Sequence, residues 1–358
     1  MAGAIHTAMK EEGELDMNAW DKRMKKIYLA LGDDLSRSIF KRRLLFSLTG
    51  DKDEIWQMVC ESFPNAGRLR EKKFCFYGAG AGAGWLLRCM RRDIFVIDKF
   101  RTGEIEGHPI VSLEEFLQRE DCKEYEIFVT VGKAELCREI AKELESYGLS
   151  FQFIYSSRQY FEPENQYFDL ENQYFDLGDQ YFVDVGALDG ETTRHFLNHC
   201  PKGHSCVFEP NPVSYDLARK RLEGHGNVEF FPYGCYDRNG KLHFSLCDSD
   251  AGSAAVSETG EIEVEVRRLD DVLKGRKATF LKMDIEGSEL AALRGAERII
   301  RKQKPRLAIC VYHKPEDIWE IPELILDYVS EYKLYLRHYS ITYTETVLYA
   351  IYEGESNA

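Results

Sequence analysis

The stretch Phe182-Val183-Asp184-Val185-Gly186-Ala187-Leu188-Asp189-Gly190-Glu191-Thr192-Thr193 constrains this chain more than any other. An apolar strand signal runs into a D-x-G-x-x-x-G turn, and a helical pattern follows. Roughly 25 residues after Asp184 a second strand signal, Cys206-Val207-Phe208, ends on Glu209. Strand, glycine turn, helix, strand and carboxylate is the order in which an open α/β sheet binds an adenosine cofactor. The glycines let the backbone approach the ligand, and the carboxylate accepts both ribose hydroxyls. A looser copy lies upstream. Phe74–Tyr77 leads into Gly78-Ala79-Gly80-Ala81-Gly82-Ala83-Gly84, and Ile94–Ile97 ends at Asp98.

The chain has 358 residues, which suits two domains. Its formal charge of −14 argues against a nucleic-acid partner, because phosphate binding needs clustered Lys and Arg. No apolar run is long enough to span a membrane, and no signal-peptide pattern opens the sequence, so a cytoplasmic protein is expected. Ten cysteines occur without a C-x-x-C spacing, which points to reduced, packed thiols and no zinc site.

Four segments follow from the patterning. Residues 1–72 form an N-terminal region, acidic and unpatterned at first, then helical from Trp20 to about Ser62. Residues 73–157 alternate strands and helices as a smaller Rossmann-like domain with a parallel sheet. Residues 158–180 read as a linker. Within it Glu164-Asn165-Gln166-Tyr167-Phe168-Asp169-Leu170 recurs letter for letter at 171–177, and a degraded third copy leads into Tyr181-Phe182. Only that third copy should enter a strand, since it alone precedes the glycine turn. Residues 181–358 carry seven strand signals, with helices between most of them. A polar segment, Asn239 to Asp270, reads as a hairpin insertion around Gly252. The last two strand signals are joined too closely for a crossover helix, so this pair should be antiparallel. The fold class is therefore α/β, a doubly wound sheet with an antiparallel last strand, preceded by a smaller α/β domain and helices.

That architecture resembles the class I S-adenosylmethionine methyltransferases. More specifically, Val183-Asp184-Val185-Gly186-Ala187, Phe208-Glu209-Pro210-Asn211-Pro212, Leu269-Asp270-Asp271, Lys282-Met283-Asp284-Ile285-Glu286-Gly287-Ser288-Glu289 and Leu293-Arg294-Gly295-Ala296 resemble the FkbM family of methyltransferases, in family order. The resemblance implies methyl transfer from S-adenosylmethionine to a hydroxyl of a sugar, glycan or glycosylated metabolite. It places Asp184, Gly186, Ala187 and Gly190 in the cofactor turn and Glu209 on the ribose. The same resemblance implies that Thr192, at a helix N-terminus, is near the methionine carboxylate and that Gly234 and Cys235 line the adenine pocket.

Lys282, Asp284 and Glu286 alternate, so on a strand they share one face. Three charges there conflict with burial in a central parallel strand, unless they mark the carboxyl end where ligands bind. Asp284 belongs with both the cofactor and the chemistry. His313, in Val311-Tyr312-His313, ends the next strand and should face the same crevice. The family often has E-x-H there, and this chain lacks the acid. His313 or Asp284 would take the acceptor's proton, with a near-neutral histidine the better match. Lys282 would orient Asp284 or stabilise an alkoxide. A metal held by Asp284, Glu286 and His313 is the alternative to this metal-free scheme.

In the first unit, Gly78, Gly80 and Ala83 fit G-x-G-x-x-A, and Asp98 takes the ribose-carboxylate position. One reading is a nucleotide or nucleotide-sugar pocket. The other is a scaffold that positions substrate or pairs subunits into a homo-oligomer. Two rival functions remain at this level, a nicotinamide-dependent sugar oxidoreductase built on the first unit and a non-catalytic nucleotide-binding module.

Overall fold

The computed structural model describes residues 17–62, 72–87, 94–153, 166–170, 180–246, 254–256 and 262–354. The residues before Met17, the second heptapeptide copy and the Gly252 turn lie outside these. Three helices come first, α1 (Met17–Ala30), α2 (Asp34–Thr49) and α3 (Lys52–Ser62). The chain forms two compact units. One comprises Ser38–Glu164 with Arg337–Glu345; the other comprises Glu12–Arg37, Asn165–Leu336 and Thr346–Ala358.

The first unit runs β1 (Lys73–Tyr77), α4 (Ala81–Leu87), β2 (Val96–Ile97), β3 (Gly103–Ile105), β4 (His108–Val111), α5 (Leu113–Leu117), β5 (Tyr125–Val129), α6 (Ala134–Ser146) and β6 (Ser150–Phe153). The sheet order is β3-β4-β2-β1-β5-β6. β1 lies parallel to β2 and β5, as the alternating pattern requires. The β3–β4 hairpin is absent from the sequence reading. Its two-residue turn, Glu106-Gly107, has positive φ at both positions (51° and 79°), the geometry that matches strand twist.

This unit's glycine turn closes on itself. Asp98 accepts backbone N–H groups from Ala79 (2.7 Å), Phe100 (2.8 Å) and Arg101 (2.9 Å). The Arg101 guanidinium in turn donates to the Ala79 carbonyl at 2.5 Å. Burial works against the charged carboxyl, but those N–H donors prevail and hold its pKa below the usual range. Gly78 is needed for packing, because at φ +105° a Cβ would overlap Val131, whereas around Gly80 there is open space. Asp98 is thus engaged by its own loop, and the nucleotide or nucleotide-sugar reading of this unit gains no support.

The second unit runs β7 (Tyr181–Val185), α7 (Glu191–His199), β8 (His204–Phe208), α8 (Pro212–Arg221), β9 (Val228–Phe231), β10 (Gly234–Cys235), β11 (Gly240–Leu246), β12 (Ala254–Val256), β13 (Ile262–Arg267), α9 (Leu269–Val272), β14 (Phe280–Met283), α10 (Glu289–Gly295), α11 (Glu297–Gln303), β15 (Arg306–Cys310), α12 (Asp317–Tyr328), β16 (Tyr332–His338) and β17 (Thr346–Tyr352). Its main sheet has the order β16-β17-β15-β14-β7-β8-β9. The strands from β15 to β9 are parallel, and β17 runs antiparallel to β15. The polar insertion adds β11, β12 and β13, which join β10 in a small four-stranded sheet.

Two local features depart from the simple pattern. The helical stretch between β14 and β15 is two helices, α10 and α11. Gly295 sits so close to the Tyr236 carbonyl that any Cβ would overlap it. Asp270 then caps α11, accepting from the N–H groups of Arg298 and Ile299, each at 2.9 Å. At the other end of the chain, α1 packs on α12 through an edge-to-face Trp20–Trp319 pair at 5.3 Å and ion pairs Arg23–Glu323 and Lys26–Asp327. No helix among the described residues is long and apolar enough to cross a membrane.

Candidate active site

A cavity of about 280 Å³ opens at the carboxyl ends of β7, β8 and β14. Its wall includes Gly186, Leu188, Glu209, Cys235, Asp284 and Glu286. The glycine turn and the end of β14 meet here in backbone contact. Gly186 has φ +79°, and a Cβ on it would overlap the Asp284 carbonyl oxygen. Leu188, at φ 49°, is held in a left-handed conformation unusual for its type. Its N–H donates to Glu209 Oε2 at 2.9 Å, and Asn211 N–H donates to Oε1 at 2.8 Å. Burial dominates the environment of Glu209 and raises its pKa despite these donors. Each carboxylate oxygen keeps further acceptor capacity, so Glu209 is equipped to receive a vicinal diol. Gly234 and Cys235 also line the cavity. Burial pushes the Cys235 thiol strongly upward, which suits packing and not nucleophilic chemistry.

Lys282 and Asp184 behave differently from the sequence expectation. Both are buried, and neither lines the cavity. Lys282 Nζ donates to the Gly186 carbonyl at 2.5 Å and pairs with Asp184 Oδ1 at 3.1 Å. Asp184 Oδ2 accepts from Thr193 Oγ1 at 2.7 Å. Burial opposes the Lys282 charge, but Asp184 and Asp284 outweigh it and raise its pKa. The lysine therefore clamps the turn from beneath and acts on Asp284 through its field; it does not face an alkoxide. Ala187, Gly190 and Thr192 also lie off the cavity wall. Gly190, at φ +79°, forms the N-cap of α7.

At the opposite side of the mouth, β14 ends at Met283 and the chain turns sharply, with Glu286 at φ 54° and Gly287 at φ 89°. The strict alternation read from the sequence thus stops at Asp284, yet Glu286 still reaches the cavity. His313 sits behind the two carboxylates. Its Nε2 is 3.5 Å from Asp284 Oδ1 and 3.6 Å from Glu286 Oε2, and its Nδ1 is 2.9 Å from Glu289 Oε1. Burial disfavours the imidazolium, but Glu289, Asp284 and Glu286 together raise its pKa to about 9. For Asp284, burial is offset by Lys282, His313 and a Tyr167 hydrogen bond, and its pKa is lowered. Asp284, Glu289 and His313 bring one donor atom each within 4.8 Å of one another. Here the imidazole itself supplies the positive charge between the carboxylates.

Four contributors escaped the sequence reading. Tyr312 donates to Asp284 Oδ1 at 3.2 Å, Glu289 meets His313, and Thr193 (one residue past Thr192) holds Asp184. The fourth is Tyr167, from the segment read as linker. It lies in a turn over the sheet and not in a strand, while Tyr181 and Phe182 do enter β7. Its hydroxyl donates to Asp284 Oδ2 at 2.8 Å, and its ring lies 5.1 Å from Lys282 Nζ. Phe168 beside it packs on Phe182 and Phe280. An aromatic pair inside a polar heptapeptide was the available signal.

A seven-stranded sheet in this order, with an antiparallel strand inserted beside β15 and a carboxylate on the second strand, has the topology of the class I S-adenosylmethionine-dependent methyltransferases. Residues 184–338 match the sequence profile of the methyltransferase FkbM domain. The 2-O-methyltransferase NoeI of Sinorhizobium fredii is 27% identical over 177 residues, covering 42% of this chain and 72% of NoeI. Methyltransferase 1 of Beauveria bassiana is 24% identical over 143 residues, covering 32% of this chain and 57% of the relative. The crystal structure of methyltransferase FkbM from Methylobacillus flagellatus superposes with a TM-score of 0.46 at 20% identity, over 84% of this chain and 99% of that one.

Proposed function

We propose that this methyltransferase moves a methyl group to a hydroxyl oxygen of a sugar, glycan or glycosylated metabolite. The observation that carries the reading is that Glu209, suited to a ribose, and the pair Asp284 and Glu286, suited to an acceptor hydroxyl, open on one cavity. NoeI, named a 2-O-methyltransferase, supports oxygen as the target. S-adenosylmethionine, when bound, supplies a methyl group already activated on a sulfonium sulfur. The chain's own residues must place an oxygen in line with it and remove one proton.

Glu209 and the backbone of the Gly186 turn hold the adenosine end. Asp284 and Glu286 accept hydrogen bonds from hydroxyls neighbouring the reacting one and so fix its position. His313 Nε2, immediately behind them, takes the proton. Only neutral imidazole can do so, and these carboxylates keep it charged below pH of about 9. Turnover should therefore rise about tenfold per pH unit through the neutral range and level off near that value.

The test uses methyl-labelled donor with a panel of glycosides. His313→Ala is expected to cost ~10²–10⁴-fold in rate while donor binding survives in calorimetry. Glu209→Gln should weaken donor binding itself. An unchanged rate in His313→Ala removes the base assignment. Label appearing only in carboxyl or amine products overturns the hydroxyl assignment. Turnover should persist after chelation, and a loss restored by a divalent cation would overturn the metal-free scheme.

A further inference from the structure

Glu289 is wholly buried, yet it lies at the first position of α10, close behind the carboxylates of the mouth. One of its oxygens, Oε1, accepts from the Ile285 N–H at 2.8 Å and touches His313 Nδ1 at 2.9 Å. The other, Oε2, is buried and accepts no hydrogen bond. Nothing about burial alone favours a carboxylate here, since an uncompensated buried charge costs several kcal/mol. His313 is the cation that compensates it.

We propose that Glu289 is the positioning residue for His313, gripping Nδ1 so that Nε2 is presented to Asp284, Glu286 and the acceptor hydroxyl between them. The inference rests on His313 being the base. A ring held at one nitrogen by a buried carboxylate keeps its proton there, which leaves the other nitrogen as the acceptor. In this structure neither ring nitrogen is aligned in a hydrogen bond. Such contacts commonly tighten only when substrate is bound.

The surroundings are charged from several elements. Glu289 comes from α10, Asp284 and Glu286 from the turn after β14, and Lys282 from β14 itself. Asp317 lies at the start of α12, and Lys314 one residue along from His313. Burial and then Glu289 raise Asp317 to about 7, so two carboxyls share the space behind the imidazole. Lys314 N–H donates to Asp317 Oδ2 at 2.9 Å, which fixes that second carboxyl in place.

The deciding measurement is made on the native full-length protein with ¹⁵N-labelled histidine. Long-range proton–nitrogen correlations at high pH report which ring nitrogen of neutral His313 keeps its proton. Nδ1–H is expected, and Nε2–H overturns the proposal without any variant being needed. In Glu289→Gln the side-chain amide can donate to Nδ1 and force the opposite tautomer. The His313 titration should then fall toward its ordinary value, with kcat read on its high-pH plateau down ~10²–10⁴-fold and the donor dissociation constant within about twofold. Glu289→Asp, which keeps the charge, should recover part of kcat. An unmoved titration in Glu289→Gln, or losses confined to donor binding, overturns the positioning role. If His313→Ala leaves turnover intact while Glu289→Gln still shifts the titration, the base assignment fails and the Glu289–His313 pair stands.

Discussion

Tyr167 offers the sharpest test of how the charged end of β14 is tolerated. Its hydroxyl hydrogen-bonds the Asp284 carboxylate at 2.8 Å, its ring sits over the Lys282 ammonium, and it is 7% exposed. Tyr167→Phe deletes the hydroxyl and keeps the ring. A hydrogen bond to a charged, shielded acceptor is worth ~1.5–3 kcal/mol, and the cation–π contact should survive. At about 2–4 °C per kcal/mol for a unit of this size, the second unit should melt ~3–12 °C lower. Tyr167→Ala should add a cavity cost of ~3–5 kcal/mol. The pH dependence gives an independent sign. Asp284 has a depressed pKa, so its contribution to stability is present above the unfolded carboxyl value and is lost as pH falls through the folded one. Removing a donor raises that folded pKa, and acid unfolding should begin at higher pH. Scanning calorimetry from pH 3 to 7 reads both effects. Because Tyr174 occupies the same place in an identical heptapeptide, Tyr167→Phe/Tyr174→Phe is measured alongside. If neither variant shifts the melt or the acid limb, Asp284 does not depend on that phenol, and the account of this face is wrong.

Gly186→Ala should destabilise by at least ~2 kcal/mol and abolish donor binding in calorimetry, since a left-handed φ and a backbone overlap with Asp284 are imposed together. A variant that binds donor normally would show the turn and β14 to be further apart. His313 has a raised pKa, so its stabilising share is complete below about pH 6.5 and is lost as pH rises through about 9; His313→Gln should flatten denaturant midpoints across that window. Asp317, raised to about 7, contributes stability fully present below its unfolded value near ~3.9 and lost as pH climbs through 7. Asp317→Asn, which keeps an acceptor for the Lys314 N–H, should therefore gain stability relative to the parent at pH 8 and not at pH 4.

Much of the second unit was legible because its signals are local. Gly186 and Gly190 need positive φ, Glu209 sits one strand later, and β16 and β17 are too closely joined to be parallel. These facts leave few topologies open. The site was legible only in part. Asp284 and Glu286 reach the cavity, and His313, expected to face the same crevice, lies behind them and off its wall. Lys282 did not join them at the cavity, since periodicity gives a face and not depth. A buried lysine finds the nearest carbonyl and carboxylate, here those of Gly186 and Asp184. Glu289 and Tyr312 were visible inside quoted motifs but gave no periodic signal of their own. Tyr167 acts across more than a hundred residues of sequence, and no local pattern reports such a contact. In the first unit Asp98 is engaged by the N–H groups of its own loop, a contact that the glycine and carboxylate spacing does not report.

Asp270 carries a lesson for variant surveys. It stands in a stretch that resembles a family motif, yet its two oxygens are committed to the first turn of α11, and it is not on the cavity wall. Stripping it would strand two amide protons and loosen the joint between neighbouring helices, one of which begins at Glu289. A screen scored on product alone would file such a variant with the proton-transfer residues. A thermogram would return it to the carpentry.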